Sequence, residues 1–299
     1  MKKFGVVTLM GAPNAGKSTL LNAILGEKLS IVCHKRQTTL YTSCRYFNRR
    51  GYTNFNCGYP RHFFLIRKKS WIRQWYRQHG RPPFEAHLIF LIVDVKASYL
   101  KEDIIKIISK LESVSDKVVL ILNKIDLFKD KSSLLSLTKE LSEVFSFKDV
   151  FMVSSKKKEG VDRLVSFMKK NMPDGAWVYP EDQLTNLSER FLTAELTREV
   201  LLHQLHEEIP YGLTVQTEKW ETFDNEDVKV FQMICLERMS HKAIVLGKKG
   251  QKIKHIGVLA REEMSKALGC RVHLKLHVKV DENWQDKPDF FHDLGLDPN

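Results

Sequence analysis

The sequence predicts two domains in one chain: a doubly wound α/β domain with a mostly parallel sheet, then a smaller α+β domain. Three observations carry this. Two continuous apolar runs, at 88–95 and 117–122, have the length and β-branched content of strands covered on both faces. They alternate with segments of helical period, the order expected of a parallel sheet with crossover helices. Near the C-terminus, Val272, Leu274, Leu276, Val278 and Val280 alternate with His273, Lys275, His277 and Lys279, the pattern of a half-buried strand.

Taken in order, residues 4–10 read as a buried strand. The apolar run breaks at Gly11-Ala12-Pro13-Asn14, so it is a strand rather than a signal peptide. A helix is expected over 17–25, strands at 88–95 and 117–122, helices at 102–114, 132–146 and 160–171, and a short strand at 150–153. Met172-Pro173-Asp174-Gly175 ends that alternation. The boundaries follow: a first domain at 1–172, a linker at 173–186 and a second domain at 187–299. The second opens with a helix at 187–208 carrying Leu192, Leu196, Val200 and Leu201 at helical spacing. Strands at 213–223 and 228–238 flank Asp224-Asn225-Glu226-Asp227, which reads as a hairpin turn. A helix at 251–267 and the alternating strand at 271–280 complete it.

A hydrophobic content of 43% excludes a disordered chain, and no run approaches the 18 apolar residues of a spanning helix. Five cysteines without a repeated C-x-x-C point to free thiols in a reducing cytoplasm and away from a disulfide framework or zinc site. The formal charge of +12 points to nucleic acid. That surplus is confined, however. From Lys28 to Phe84 there is no Asp or Glu, but 13 Lys+Arg; the rest of the chain carries 35 basic and 36 acidic residues. Within the window, 45–83 shows neither the period of a strand nor that of a helix, although it lies inside a domain that should be folded.

Gly11-Ala12-Pro13-Asn14-Ala15-Gly16-Lys17-Ser18 fits G-x-x-x-x-G-K-[ST], between a strand and a helix. In such a loop backbone N–H groups wrap phosphates, Lys17 offers a point charge to the β/γ-phosphates, and the Ser18 hydroxyl is placed to ligate Mg²⁺. Asn123-Lys124-Ile125-Asp126 follows the 117–122 strand. A carboxylate there accepts two hydrogen bonds from the N1–H and N2–H₂ edge of guanine, a donor pair adenine lacks. Ser154-Ser155 resembles a third guanine element, whose backbone N–H groups meet O6. Gly247-Lys248-Lys249-Gly250, with Lys252 and Lys254, sits in a stretch (240–280) holding ten Lys+Arg against Glu262 and Glu263. A G-x-x-G loop lets backbone approach a nucleic-acid strand, and its lysines neutralise phosphates.

In this order the elements resemble the Era family of GTPases. The resemblance runs through residues 11–22, Gln37-Thr38-Thr39, Asn123–Asp126, Ser154-Ser155, Tyr179–Phe191, Glu208–Tyr211 and the 240–280 segment with its closing Trp284. It implies a P-loop GTPase domain followed by a type II KH domain, with GTP or GDP and Mg²⁺ as ligands. The expected partner is the 3′ end of 16S rRNA in the small ribosomal subunit, bound under control of the nucleotide during assembly. By position, Thr19 joins the nucleotide site and Thr39 joins Ser18 around Mg²⁺. No other metal site is expected. The family also allows peripheral contact with the inner membrane from a cytoplasmic protein. No side chain of the sequence stands out as a general base.

One family element is missing. D-x-P-G, whose Asp holds Mg²⁺ through water and whose Gly N–H senses the γ-phosphate, does not occur between Thr39 and Asp94. The basic window stands where it belongs. Codons resolve the discrepancy: Gly58-Tyr59-Pro60-Arg61-His62-Phe63 can be written GGA TAC CCC CGG CAT TTT, and one base later the same DNA reads Asp-Thr-Pro-Gly-Ile. The same offset through 51–57 permits Asp-Thr-Gln-Ile-Leu-Ile-Val. Residues 71–76 read two bases later permit Asp-Lys-Ala-Met-Val. By Glu85 the original frame has resumed. The sequence therefore predicts that roughly 44–84 is an out-of-frame translation. The alternative is a KH-type RNA-binding chain whose first domain is inert or misfolded. A third possibility, a basic protein of membrane surfaces, rests mainly on the same window.

Overall fold

The computed structural model describes residues 3–12, 14–28, 30–32, 86–96, 104–105, 107–128, 132–175, 188–205, 213–282 and 284, and the backbone of 43–46 and 52–57. They cluster into two units. One holds the described residues up to Ser30 and those from 43 to 175; the other holds Ile31, Val32 and those from 188 onward.

In the first unit, β1 (Lys3–Gly11), β2 (Ser43–Tyr46), β3 (Tyr52–Cys57), β4 (Leu88–Asp94), β5 (Val118–Asn123) and β6 (Asp149–Val153) form one sheet in the order β2-β3-β1-β4-β5-β6. All neighbours are parallel except β2, which pairs antiparallel with β3. The continuous apolar runs become the central strands because helices cover both faces: every residue of β5, and all of β4 but Asp94, is buried. Helices α1 (Lys17–Leu25), α2 (Ser132–Val144) and α3 (Val161–Asn171) are amphipathic. Leu20, Leu21 and Ile24 of α1 meet Leu164 and Met168 of α3 over Val7, Leu9, Phe90 and Ile121. Parallel register brings strand ends to one edge of the sheet, with Gly11 opposite Ile92, Asp94 opposite Asn123, and Asn123 opposite Val153. Open α/β sheets bind ligands at that edge.

Two stretches depart from the sequence reading. The helix expected at 102–114 is not continuous: helical residues at 104–105 and 107–108 give way to a turn and a 3₁₀ segment, Glu112–Lys117. That segment is itself kinked at Val114 (φ −131°, ψ 25°), which is buried with Ile104, Ile108 and Leu111. The aperiodic window, conversely, contains β2 and β3. There β3 is an interior strand, with Asn54 opposite Val6 and Asn56 opposite Thr8. Past α3 the chain stays tied to β1: Phe4 N–H donates to Pro173 O at 3.1 Å, and Asp174 bridges to Lys3.

The second unit runs α4 (Glu189–Gln204), β7 (Leu213–Thr222), β8 (Val228–Leu236), α5 (Met239–Leu246), α6 (Gln251–Leu268) and β9 (Val272–Val280). Ser188 caps α4 by accepting from Phe191 N–H. The sheet order is β7-β8-β9, with β7 and β8 an antiparallel hairpin and β8 and β9 parallel across the α5–α6 crossover. Val228, Val230, Ile234 and Leu236 share one face of β8 and pack with Leu201 of α4 and Ile256, Ala260 and Met264 of α6. A polar chain crosses this core: Thr197 Oγ1 donates to Gln232 Oε1 (2.6 Å), Gln232 Nε2 to Thr217 Oγ1 (3.2 Å), and Thr217 Oγ1 to Arg190 O (2.7 Å). The guanidinium of the fully buried Arg198 is held by the Glu195 carboxylate through Nε (2.6 Å) and Nη2 (2.8 Å).

Candidate functional site

The loop between β1 and α1 is constrained by its glycines. Gly11 sits at φ +150°, and a Cβ there would strike the carbonyl oxygen of Ile92 on β4, so the strand exit requires glycine. Asn14 follows in the left-handed region at φ 62°, and Gly16 precedes the first helical residue at φ 96°. This winding brings Lys17 over the loop, where its ammonium donates to Gly11 O (2.9 Å) and Ala12 O (2.8 Å). Ser18 and Thr19 lie in the first turn of α1. A helix N-terminus, a lysine cation and a hydroxyl together form a donor set suited to a polyphosphate carrying a divalent cation. Pro13 and Thr39 lie outside the described residues.

Asn123 joins this loop to the other two elements. Its side chain is buried at the end of β5. Nδ2 donates to Ala15 O at 2.8 Å, while Oδ1 accepts from Ser155 N–H (3.1 Å) and Ser155 Oγ (2.8 Å). Asp126 follows in the 3₁₀ turn Ile125–Leu127, where Ser154 Oγ donates to its Oδ1 at 2.6 Å. Ser154 Oγ also accepts from Lys157 N–H, which fixes the 154–157 turn. Ala15, Asn123 and Ser155 thus form one hydrogen-bonded group and Asp126 and Ser154 a second, met at the Ser154-Ser155 peptide, though the sequence spreads them over 141 residues.

Sequence reasoning missed Asp94. It ends β4, and its Oδ2 holds the Lys124 ammonium at 2.6 Å. Lys124 has a left-handed backbone at φ 68°, costly for a residue with a Cβ. The ion pair anchors the side chain at that turn. The only signal in the sequence was a lone carboxylate closing an apolar run.

In the second unit, Gly247-Lys248-Lys249-Gly250 is a tight turn joining α5 to α6, with Lys249 in the left-handed region at φ 53°. Gly247 (φ 68°) has no room for a side chain, because a Cβ would lie 2.5 Å from that of Lys252. Lys248, Lys249 and Lys254 are exposed and Lys252 is half-buried. The loop and the first turns of α6 therefore carry all six residues expected to meet nucleic acid. Cys235 and Cys270 are free thiols, and burial raises the pKa of Cys270 above its ordinary value. No described group of His, Cys, Asp and Glu could hold a metal ion, and no described helix is long and apolar enough to cross a membrane.

Comparison with known proteins finds two families in the chain. A family described as 50S ribosome-binding GTPase matches residues 6–124, and a KH domain family matches 208–285. The chain is 40% identical to GTPase Era of Brucella suis biovar 1, over 98% of its own length and 93% of that protein. It is 38% identical to GTPase Era of Maricaulis maris, over 99% and 98%. A crystal structure of an Aquifex aeolicus Era variant bound to GDP and aluminium fluoride superposes with a TM-score of 0.85 at 28% identity, covering 99% of both chains. Another solved structure, Era in complex with MgGDPNP and nucleotides 1506–1542 of 16S ribosomal RNA, gives 0.84 at 28% identity, covering 99% of this chain and 100% of that one.

Proposed function

The chain belongs to the Era family of GTPases, and from that membership we propose that it is a GTP-binding protein acting on 16S rRNA during assembly of the small ribosomal subunit in the cytoplasm. A GTPase domain at 1–172 takes GTP or GDP with Mg²⁺, and a KH domain at 187–299 takes the RNA. Backbone N–H groups of 11–19, apart from Pro13, which has none, meet the phosphates, Lys17 lies against the β/γ-phosphates, and Ser18 and Thr39 hold Mg²⁺. When bound, Mg²⁺ neutralises charge that builds on the phosphate oxygens. Asp126 selects guanine, Ser154-Ser155 border the base, and the Asn123 junction keeps base and phosphate sites at a fixed spacing. In the KH domain Gly247–Gly250, Lys252 and Lys254 meet the RNA backbone. Peripheral contact with the inner membrane belongs to the same family-derived reading.

The observation that carries the nucleotide site is the Asn123 amide, bonded at once to the loop at Ala15 and to Ser155. Asp126→Asn tests guanine selection. The carboxamide mismatches the donor pair of guanine and matches a base with a carbonyl at C2. GTP affinity should fall about 10- to 100-fold, with xanthosine triphosphate gaining. An unchanged preference between the two overturns the assignment.

A second reading rests on the missing D-x-P-G: the chain is a KH RNA-binding module with an inert first domain. Mg²⁺-dependent GTP hydrolysis by the protein as it stands separates the two. Severe impairment is expected, and turnover equal to that of an intact relative removes the inert reading.

A further inference from the structure

The α4 and α6 helices cover one face of the second unit's sheet, and the opposite face carries an aromatic residue ringed by cations. Phe231 lies at mid-sheet on β8, directly across from Lys219 on β7 and Lys275 on β9. The ammonium groups of Lys229, Lys275 and Lys219 stand 4.9, 5.4 and 5.7 Å from its ring centroid. One carboxylate, Glu221, sits among them, 2.5 Å from Lys219 and 3.2 Å from Lys229. Its pKa is lowered, first by the hydrogen bond from Lys219. Further along the same face the ring of His273 stands edge-on to the exposed Phe223 at 5.8 Å, and Met233 lies across from His277. Lys279 extends the cationic row of β9.

We infer that this open sheet face is a second RNA-binding surface, which takes a single-stranded segment by stacking bases on Phe231 and the Phe223–His273 pair while Lys219, Lys229, Lys275 and Lys279 meet its phosphates. Aromatic rings interleaved with lysines form the platform that single strands use, because every base offers a π-face and every linkage a charge. A duplex does not fit, since its bases are already stacked. A protein partner would ask for a contiguous apolar centre, whereas these rings are separated by charged side chains. Four lysines against Glu218, Glu221 and Asp227, whose Oδ2 lies 3.8 Å from His273 Nε2, still leave the face a surplus that phosphates neutralise. The lysines over Phe231 are long and partly exposed, so each can exchange the ring for a phosphate and free the ring for a base. This surface is separate from the G-x-x-G loop, which joins helices α5 and α6.

The test uses the full chain and a fluorescein-labelled 12-nucleotide uridine oligomer, with affinity read by anisotropy across a salt series. Phe231→Leu keeps apolar volume and removes the π-face; affinity should fall about 5- to 150-fold. Lys275→Gln, at an exposed position, should lower the slope of log affinity against log salt by about 0.7. A merely structural role for Lys275 leaves that slope unchanged. A loop variant, Lys248→Glu with Lys249→Glu, separates the two surfaces. Sheet variants that still weaken binding in that background support the second surface. Loss of all binding in the loop variant, with sheet variants matching the parent in affinity and slope, overturns it and leaves the G-x-x-G reading standing. The loop variant binding as the parent does, while sheet variants fail, removes the loop reading and keeps the sheet.

Discussion

Asn123 does two jobs that a sequence motif does not separate. Its position suggests contact with the guanine base, but its amide is used internally, with Nδ2 on Ala15 O and Oδ1 on Ser155 N–H and Oγ. The side chain is 1% exposed, so each lost bond leaves a buried group without water to replace it. Asn123→Ala should destabilise the first unit by about 2–4 kcal/mol. It should also weaken binding of fluorescent GDP, because the phosphate loop and the 154–157 turn lose their common tether. Urea denaturation and a GDP titration read the two effects. Loss of affinity with full stability would assign Asn123 to the base instead. Asp126 makes the contrast: its Oδ1 accepts from Ser154 Oγ, and in the reading proposed above its carboxylate selects guanine.

Elements were legible where burial was uniform. β1, β4 and β5 could be read because a strand covered on both faces is a continuous apolar run. β9 could be read because one covered face leaves strict alternation. The phosphate loop and Asn123–Asp126 were readable because their chemistry needs fixed residues at fixed spacing. Less was legible where geometry comes from elsewhere in the chain. The segment at 107–117 breaks at a turn and kinks at Val114, and the Asp94–Lys124 pair joins two strand ends with no local pattern. The polar chain through the second core was invisible for the same reason: Thr197, Gln232 and Thr217 come from α4, β8 and β7. Gln232→Leu tests its weight. The swap adds apolar surface but takes the acceptor from the buried Thr197 hydroxyl, while Thr217 Oγ1 keeps its bond to Arg190 O, and a deserted buried partner costs about 1–3 kcal/mol. The second unit should therefore lose stability in thermal denaturation. A gain would mean that the network serves specificity of packing rather than stability.

At the scale of the whole chain, the window at 44–84 is where sequence and fold disagree. β3 is an interior strand of the first sheet, yet it places Asn54 and Asn56 opposite Val6 and Thr8, and asparagine is depleted from strands. Read one base later, the codons permitted for Tyr52–Cys57 give Thr-Gln-Ile-Leu-Ile-Val, with isoleucine at both asparagine positions. The register sharpens this. Cys57 pairs with Leu9, two residues before Gly11, so the end of β3 lies at the phosphate-loop edge of the sheet. The shifted reading puts Asp-Thr-Pro-Gly immediately after that end, the place in the chain from which a loop can reach the nucleotide. One offset thus supplies an apolar interior strand and the missing motif in order, and it replaces a stretch that holds ten Lys+Arg and no Asp or Glu, most of the +12 charge. The prediction is that the gene's nucleotides over codons 44–84 encode Asp-Thr-Pro-Gly in a shifted frame. Restoring that frame should raise Mg²⁺-dependent GTP hydrolysis from severely impaired to the level of an intact relative, and should stabilise the first unit against urea. Codons that cannot yield Asp-Thr-Pro-Gly in either shifted frame overturn it. So does a frame-restored protein that binds GTP without hydrolysing it faster than the original, since the Mg²⁺-holding Asp and the γ-phosphate-sensing Gly would then be present without effect.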